Sequence, residues 1–403
     1  MPSTFQILRE FLLLGLTAFG GPTAHIGFFR DRFVGKLQWI TDDEFADILA
    51  LCQFLPGPAS SQMGFAIGWK KGGWPGALAA WTGFTLPSAL LMTLFGLGIA
   101  KFASPEGSGW LFGLQIAVVA VIFKAIIQMA KSLCPDRTRT LIALASAAFL
   151  LWDGLPFSQI LVILAGAILG LAVIRTDRVG STNQQGSIET PERTQRVDSE
   201  NRQGWFVGAT CLVLFFLLLF GLPFFAKETG PLTLFSSFYQ SGALVFGGGH
   251  VVLPLLSDEV VSTGWLTDSE FMAGYGAAQA LPGPLFTFAS FVGSALSWPQ
   301  NPWLLSAIAL GGIFLPGALL VLGVMPFWER LRTIPAMRNA LAGTNAAVVG
   351  LLGAAFYDPV WTGAIRDTGD VIFLLGIAAL LLVLKLPPWV VVIAAGLSGW
   401  LLL

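Results

Sequence analysis

Two apolar stretches of this chain are interrupted by the same four residues: QFLPGPASSQMG at 53–64 and QALPGPLFTFAS at 279–290. Proline and glycine are the poorest helix formers, yet both breaks fall inside runs that otherwise read as membrane helix. Irregular backbone is tolerated within a bilayer only where protein or a water-filled cavity surrounds it. A matched pair of breaks therefore constrains both fold and function.

The flanking sequence supports the membrane reading. Of 403 residues, 55% are hydrophobic and 11% charged, against about 25% charged in a soluble domain. Apolar runs of about 20 residues, enough to cross a hydrocarbon core, recur along the whole length. A net charge of -1 leaves no basic stripe for nucleic acid. Cys52, Cys134 and Cys211 stand singly in or beside apolar segments, without metal or disulfide spacing, and read as packing residues. The first segment, FQILREFLLLGLTAFGG, has no small-residue cleavage site after it and is read as the first helix rather than a signal peptide.

The breaks belong to an internal duplication. At an offset of 226, ten of the twenty positions in 39–58 equal those in 265–284, including WITDDEF against WLTDSEF; ordinary composition gives roughly one or two. The repeat extends through FGGPTAHIG and FGGGHVV, FTLPSALL and IFLPGALL, and LQIAVVAV and TNAAVVGL. This predicts a first unit over 1–175, a polar linker at 176–204, an extra helix at 205–222 and a second unit over 231–403. The expected fold is all-α and polytopic, with about thirteen transmembrane helices. Each unit closes with two short apolar segments joined by a proline turn, near Pro156 and Pro387-Pro388.

Six crossings plus the extra helix place the second unit upside down, the inverted repeat usual in secondary transporters. Lys70, Lys71, Lys131, Arg137, Arg139, Arg330, Arg332 and Arg338 then lie inside, and 249–302 lacks Lys and Arg, as the positive-inside rule requires. Arg30, Arg32 and Lys36 disagree. They fit only if 43–69 is a re-entrant hairpin, an alternative that would make the repeats parallel and expel Arg330, Arg332 and Arg338. The inverted scheme with crossing broken helices is preferred.

Candidate site residues follow from the breaks. A half-helix opening after Pro-Gly presents unpartnered N–H groups and the positive end of its dipole, suited to an anion. Gln53, Pro56, Gly57, Pro58, Ser60 and Ser61 form the first such place, and Gln279, Pro282, Gly283, Pro284 and Thr287 the bulkier second. Gly20 and Gly21, and Gly247, Gly248 and Gly249, end the first helix of each unit, each cluster followed by one of the two histidines, His25 and His250. These suit anion contact or a proton relay, and equally a capping role. Glu44 and Glu270 are proton-coupling candidates, although Thr41 with Glu44 and Thr267 with Glu270 also spell capping boxes. Lys124 either helps to bind an anion or snorkels to the surface; Asn345 can line the pathway; Arg30 and Arg32 can draw an oxyanion to the mouth. No metal or cofactor is expected, and HExxH and GxSxG motifs are absent.

The paired FGG clusters, W-x-T-D-x-E-F motifs, LPGP breaks and LP-containing third helices resemble the chromate ion transporter family in its long, two-unit form. The resemblance implies a bacterial inner (plasma) membrane protein that exports chromate, a tetrahedral dianion like sulfate, using the proton-motive force. Its implied partners are the oxyanion, protons and the lipid bilayer, with a homodimer as one candidate assembly. Transport of sulfate or a related oxyanion, and an anion channel, are the alternatives.

Overall fold

The computed structural model describes residues 1–102, 109–152, 158–174, 197–226 and 229–402. The turn at Pro156 and the linker up to residue 196 lie outside them. Most of the described residues are helical, and five helices among them are long and apolar enough to cross a membrane: 59–99, 109–133, 204–225, 302–331 and 335–364.

Four elements double back: the two expected broken helices, and the first helix of each unit, which continues past its glycine cluster into a return segment where no helix was expected. Helix α1 (Thr4–Thr17) turns at Ala18–Gly20 into α2 (Gly21–Phe29) and the π-helical Arg30–Lys36. Phe11 stacks on Phe33 at 4.7 Å and meets Phe29 edge-on at 5.6 Å, while Arg32 Nε donates to Glu10 at 2.7 Å. Residues 10–11 and 29–33 thus lie side by side, and the chain has reversed.

The first LPGP does the same. Helix α3 (Asp42–Phe54) begins in a Thr41–Glu44 capping box, and α4 (Ala59–Phe102) follows the break. Glu44 lies 2.6 Å from Lys70 Nζ, so the start of α3 sits beside residue 70. The expected single broken helix over 43–69 is therefore a hairpin. Its tip is Gly57, whose φ of 118° is open to glycine and costly for other residues.

At Gly72–Gly73 the α4 backbone leaves helical geometry, Gly73 at φ 59°. The two legs, 59–71 and 74–102, then pack so closely that a Cβ on Gly68 would lie 2.4 Å from the Gly76 carbonyl oxygen. Small residues permit this backbone approach, the usual basis of helix association in membranes. Helix α1 lies against the second leg by the same means, Gly15 meeting the Gly83 and Phe84 carbonyls.

Helices α5 (Gly109–Leu133), α6 (Arg137–Trp152), α7 (Ser158–Val173) and α8 (Val197–Phe225) lead to the second unit. There α9 (Pro231–Leu244) turns at Val245–Gly249 into α10 (Val252–Val260), and Ser237 donates to Glu259 at 2.8 Å. Helix α11 (Asp268–Ala280) turns at the second LPGP into α12 (Phe288–Ala295), with Trp265 and Trp298 in edge contact at 5.0 Å across the open ends. Then come α13 (Pro302–Val324), α14 (Trp328–Leu331), α15 (Pro335–Ala355), α16 (Thr362–Ala364), α17 (Thr368–Ala378) and α18 (Pro388–Leu402).

Trp298 stands just before α13, whereas Arg332, beyond its far end, pairs with Asp47 of α3 at 2.9 Å. The hairpins of the two units therefore open at opposite ends of α13, whose 23 residues span about 34 Å at ~1.5 Å each.

The units also interlock. Helix α5 packs on α18, where a Cβ on Gly113 would meet the Ala395 carbonyl oxygen at 2.1 Å; α15 packs on α7 through Gly343 and Gly166, again at 2.1 Å. Each unit's fourth-helix segment thus rests on the closing helix of the other.

In a background without Cys52, Cys134 and Cys211, Glu44→Cys and Lys70→Cys are expected to react with an impermeant maleimide from one membrane side, and Gly264→Cys from the other. Labelling of Glu44→Cys and Lys70→Cys from opposite sides would restore the crossing scheme.

Candidate functional site

The four hairpin tips meet. Gly57 N–H donates to the Val245 carbonyl at 2.7 Å, and Gly283 N–H donates to the Ala18 carbonyl at 3.0 Å. Each LPGP glycine of one unit thus bonds the glycine-rich tip of the other. A Cβ on Gly249 would lie 3.5 Å from Leu285 and 3.7 Å from Pro22, which brings the remaining tips together. Gly20, Gly21, Gly247 and Gly248 turn here with φ of 106°, 75°, 74° and 146°.

Around the first LPGP, Gln62 Nε2 donates to the Pro56 carbonyl at 2.8 Å and is 3.5 Å from that of Gly317. Both neighbours are acceptors, so the amide orientation is defined and Oε1 is left buried without a donor. Ser60 and Ser61 are buried at 2% and 5% exposure, and Ser61 Oγ also lacks a partner. With Ala59 they form the first turn of an α4 leg, whose N–H groups have no intrahelical acceptor. Pro58 packs on Gly317. Gln53, by contrast, is exposed on the last turn of α3.

The other junction is built differently. Gly283 faces Ser88 and the Phe84 carbonyl, Pro282 and Pro284 are buried, and Thr287 donates to the Pro284 carbonyl at 2.8 Å. His25, 1% exposed, places Nε2 3.1 Å from the Ala18 carbonyl and its ring edge-on to Phe84, leaving Nδ1 unpartnered. His250 does not copy this contact: its Nδ1 lies 2.9 Å from the Tyr275 hydroxyl, which interacts with Gln279. Gln279 Nε2 is also buried without a partner. Unsatisfied buried polar atoms cost about 1–3 kcal/mol each; Ser61 Oγ, Gln62 Oε1, His25 Nδ1 and Gln279 Nε2 make the tips the candidate site.

Other candidates lie elsewhere. Glu44 and Glu270 both close capping boxes, and Lys70, followed by the Thr41 backbone bond, holds the Glu44 carboxyl below its usual range. Arg30 pairs with Asp42 at 2.8 Å and Arg32 with Glu10, at the hairpin feet rather than the tips. Lys124 and Asn345 are half-buried on α5 and α15. The resident acid–base candidates that sequence reading missed are Asp258, Glu259 and Asp358, in a cleft of about 630 Å³ that also reaches Leu244, the neighbour of Val245. Burial, then Glu259, raises the Asp258 carboxyl at the outer end of α10, against the bond from Gln159. Ser88 and Gly317 were also missed, although both follow the repeated Leu-Pro of FTLPSALL and IFLPGALL. No grouping of His, Cys, Asp and Glu that could hold a metal occurs among the described residues.

Paired broken elements meeting amid apolar helices are the build of a multi-pass membrane transport protein. The sequence pattern of the chromate transporter family matches residues 5–171 and 232–400; the chain belongs to that family. It is 31% identical to the chromate transport protein of Pseudomonas aeruginosa over 98% of this chain and 92% of that one. It is 27% identical to a probable chromate transport protein of Synechococcus elongatus, covering 98% and 94%, and 26% identical to the chromate transport protein of Cupriavidus metallidurans, covering 98% and 92%. No solved structure matches.

Gly57→Ala puts a Cβ 2.9 Å from Gln62 Nε2 at a φ of 118° and is expected to cost about 1–3 kcal/mol, read as a lower thermal midpoint in detergent. Gly98→Ala, which meets open space, is the unaffected control.

Proposed function

We propose that the chain exports chromate, or a tetrahedral oxyanion of like charge, across the bacterial inner membrane by alternating access. The reading rests on the four-tip junction, above all the reciprocal bonds from Gly57 to Val245 and from Gly283 to Ala18. The anion sits against the first-turn N–H groups of Ala59, Ser60 and Ser61, where dipole and donors favour negative charge. The relatives named as chromate transport proteins support the substrate.

In this reading the four hairpins are re-entrant and the repeats inverted. The second leg of α4, with α5, α6 and α7, makes an even number of crossings, so the first unit begins and ends on one side; α8 then crosses once and the second unit starts on the other. Because two hairpins per unit return to their own face, this parity holds without the conflict met in sequence. Arg30, Arg32 and Lys36 then join Lys70, Lys71, Arg330 and Arg332 on the cytoplasmic side, as positive-inside placement requires.

The cleft of Asp258, Glu259 and Asp358 faces the opposite side and supplies the proton that couples flux to the proton-motive force. Glu44 and Glu270 serve as helix caps. Rocking of one unit against the other exchanges the tip contacts and opens the site to alternate sides.

Everted vesicles containing the protein are expected to accumulate chromate saturably, with trans-stimulation and with competition by sulfate; non-saturating conductance would instead mean a channel. Ser61→Ala, which removes a hydroxyl donor, should lower uptake roughly tenfold at normal protein levels, and unchanged uptake would remove the anion from this junction. Asp258→Asn should abolish the response to an imposed pH gradient while sparing chromate exchange at equal pH. An undiminished gradient response would take the proton path out of the cleft.

A further inference from the structure

A second cavity lies between the outer leg of α4, α5, α11 and α18. It encloses about 440 Å³ and is lined by apolar side chains throughout, among them Leu91, Ala277, Leu281, Trp110 and Trp400. Its mouth carries residues that face outward from the helix bundle: Leu91 is 45% exposed, Ile393 45%, Leu397 57% and Trp400 67%. In a multi-pass membrane protein those residues contact lipid, so the slot opens on hydrocarbon and not on water.

The slot has a direction. Trp110 begins α5 and Trp400 ends α18, and close approach of Gly399 to Gly109 puts these helix ends together. Tryptophan favours the level of the lipid headgroups. The opposite end is lined by Ala280 and Leu281, which form the tip of the α11–α12 hairpin. The slot thus descends from the membrane interface to the depth of the LPGP turn. If each methylene takes about the ~30 Å³ share of a liquid water, the volume holds roughly fifteen methylenes, the size of one membrane acyl chain.

We infer that this slot binds one acyl chain of a membrane phospholipid, with its headgroup at Trp110 and Trp400 and its tail against Leu281. The chain fills the space beside the second LPGP tip and braces α11 against α5 and α18. This assignment needs only the membrane location and stands apart from the substrate reading.

Gly396 provides the test, because a Cβ there would point at Leu114 at 3.5 Å without meeting backbone closer than 3.9 Å. The purified full chain is stripped in detergent, titrated with palmitoyl-oleoyl phosphatidylethanolamine and examined by native mass spectrometry. Wild type and Gly396→Ala are expected to retain one phospholipid, while Gly396→Leu and Ala277→Leu bind it at least ~10-fold more weakly. Phospholipid brominated on its acyl chain should quench wild-type fluorescence more than that of the Trp110→Phe, Trp400→Phe double variant. Equal lipid retention in wild type and both plugged variants, or equal quenching with and without the two tryptophans, would overturn the assignment. Neither readout involves chromate, so a failed transport reading leaves this result intact.

Discussion

The structure depends on a pair of backbone hydrogen bonds, from Gly57 to Val245 and from Gly283 to Ala18. A hairpin that turns inside a bilayer strands the N–H and C=O groups of its tip, and hydrocarbon offers no partner; each such group costs several kcal/mol. A second tip with the complementary groups removes the cost. The glycine N–H of each LPGP tip finds its acceptor in the other unit, so each unit completes a turn of its partner. Duplication within one chain, the interlocked α5–α18 and α15–α7 contacts and the close glycine packing all serve that exchange.

Identical backbone bonds leave the side chains free to diverge. At the offset of 226, Gln62 corresponds to Phe288, so one junction carries an amide and two buried serines where the other carries aromatic rings. His25 reaches a tip carbonyl, whereas His250 has turned to Tyr275. The matched backbone turns therefore carry different side chains, Ser60, Ser61 and Gln62 on the first-unit side and Phe286, Thr287 and Phe288 on the second.

Much of this was legible in residue order. The W-x-T-D-x-E-F motifs announced helix caps, and both capping boxes are present; the two LPGP stretches announced the turns. The misplaced cations Arg30, Arg32 and Lys36 were the one sign that the elements double back. Reversal was harder to see because a hairpin and a crossing broken helix share the same apolar pattern and length. Only a contact such as Glu44 with Lys70 distinguishes them. The acidic cleft was invisible for a similar reason: Asp258 and Asp358 are a hundred residues apart and belong to different helices.

The sequence by itself determined that the chain is a duplicated, membrane-embedded helical protein whose helices break at Pro-Gly-Pro, because composition, helix propensity and self-similarity are properties of residue order. Tertiary structure alone decided that the breaks are hairpin tips, that each tip bonds the opposite unit, and that Gln62 Nε2 turns to the Pro56 carbonyl among them. Those outcomes depend on which backbone groups find one another in a medium without water. Offset and motif name the groups, but only packing chooses their partners.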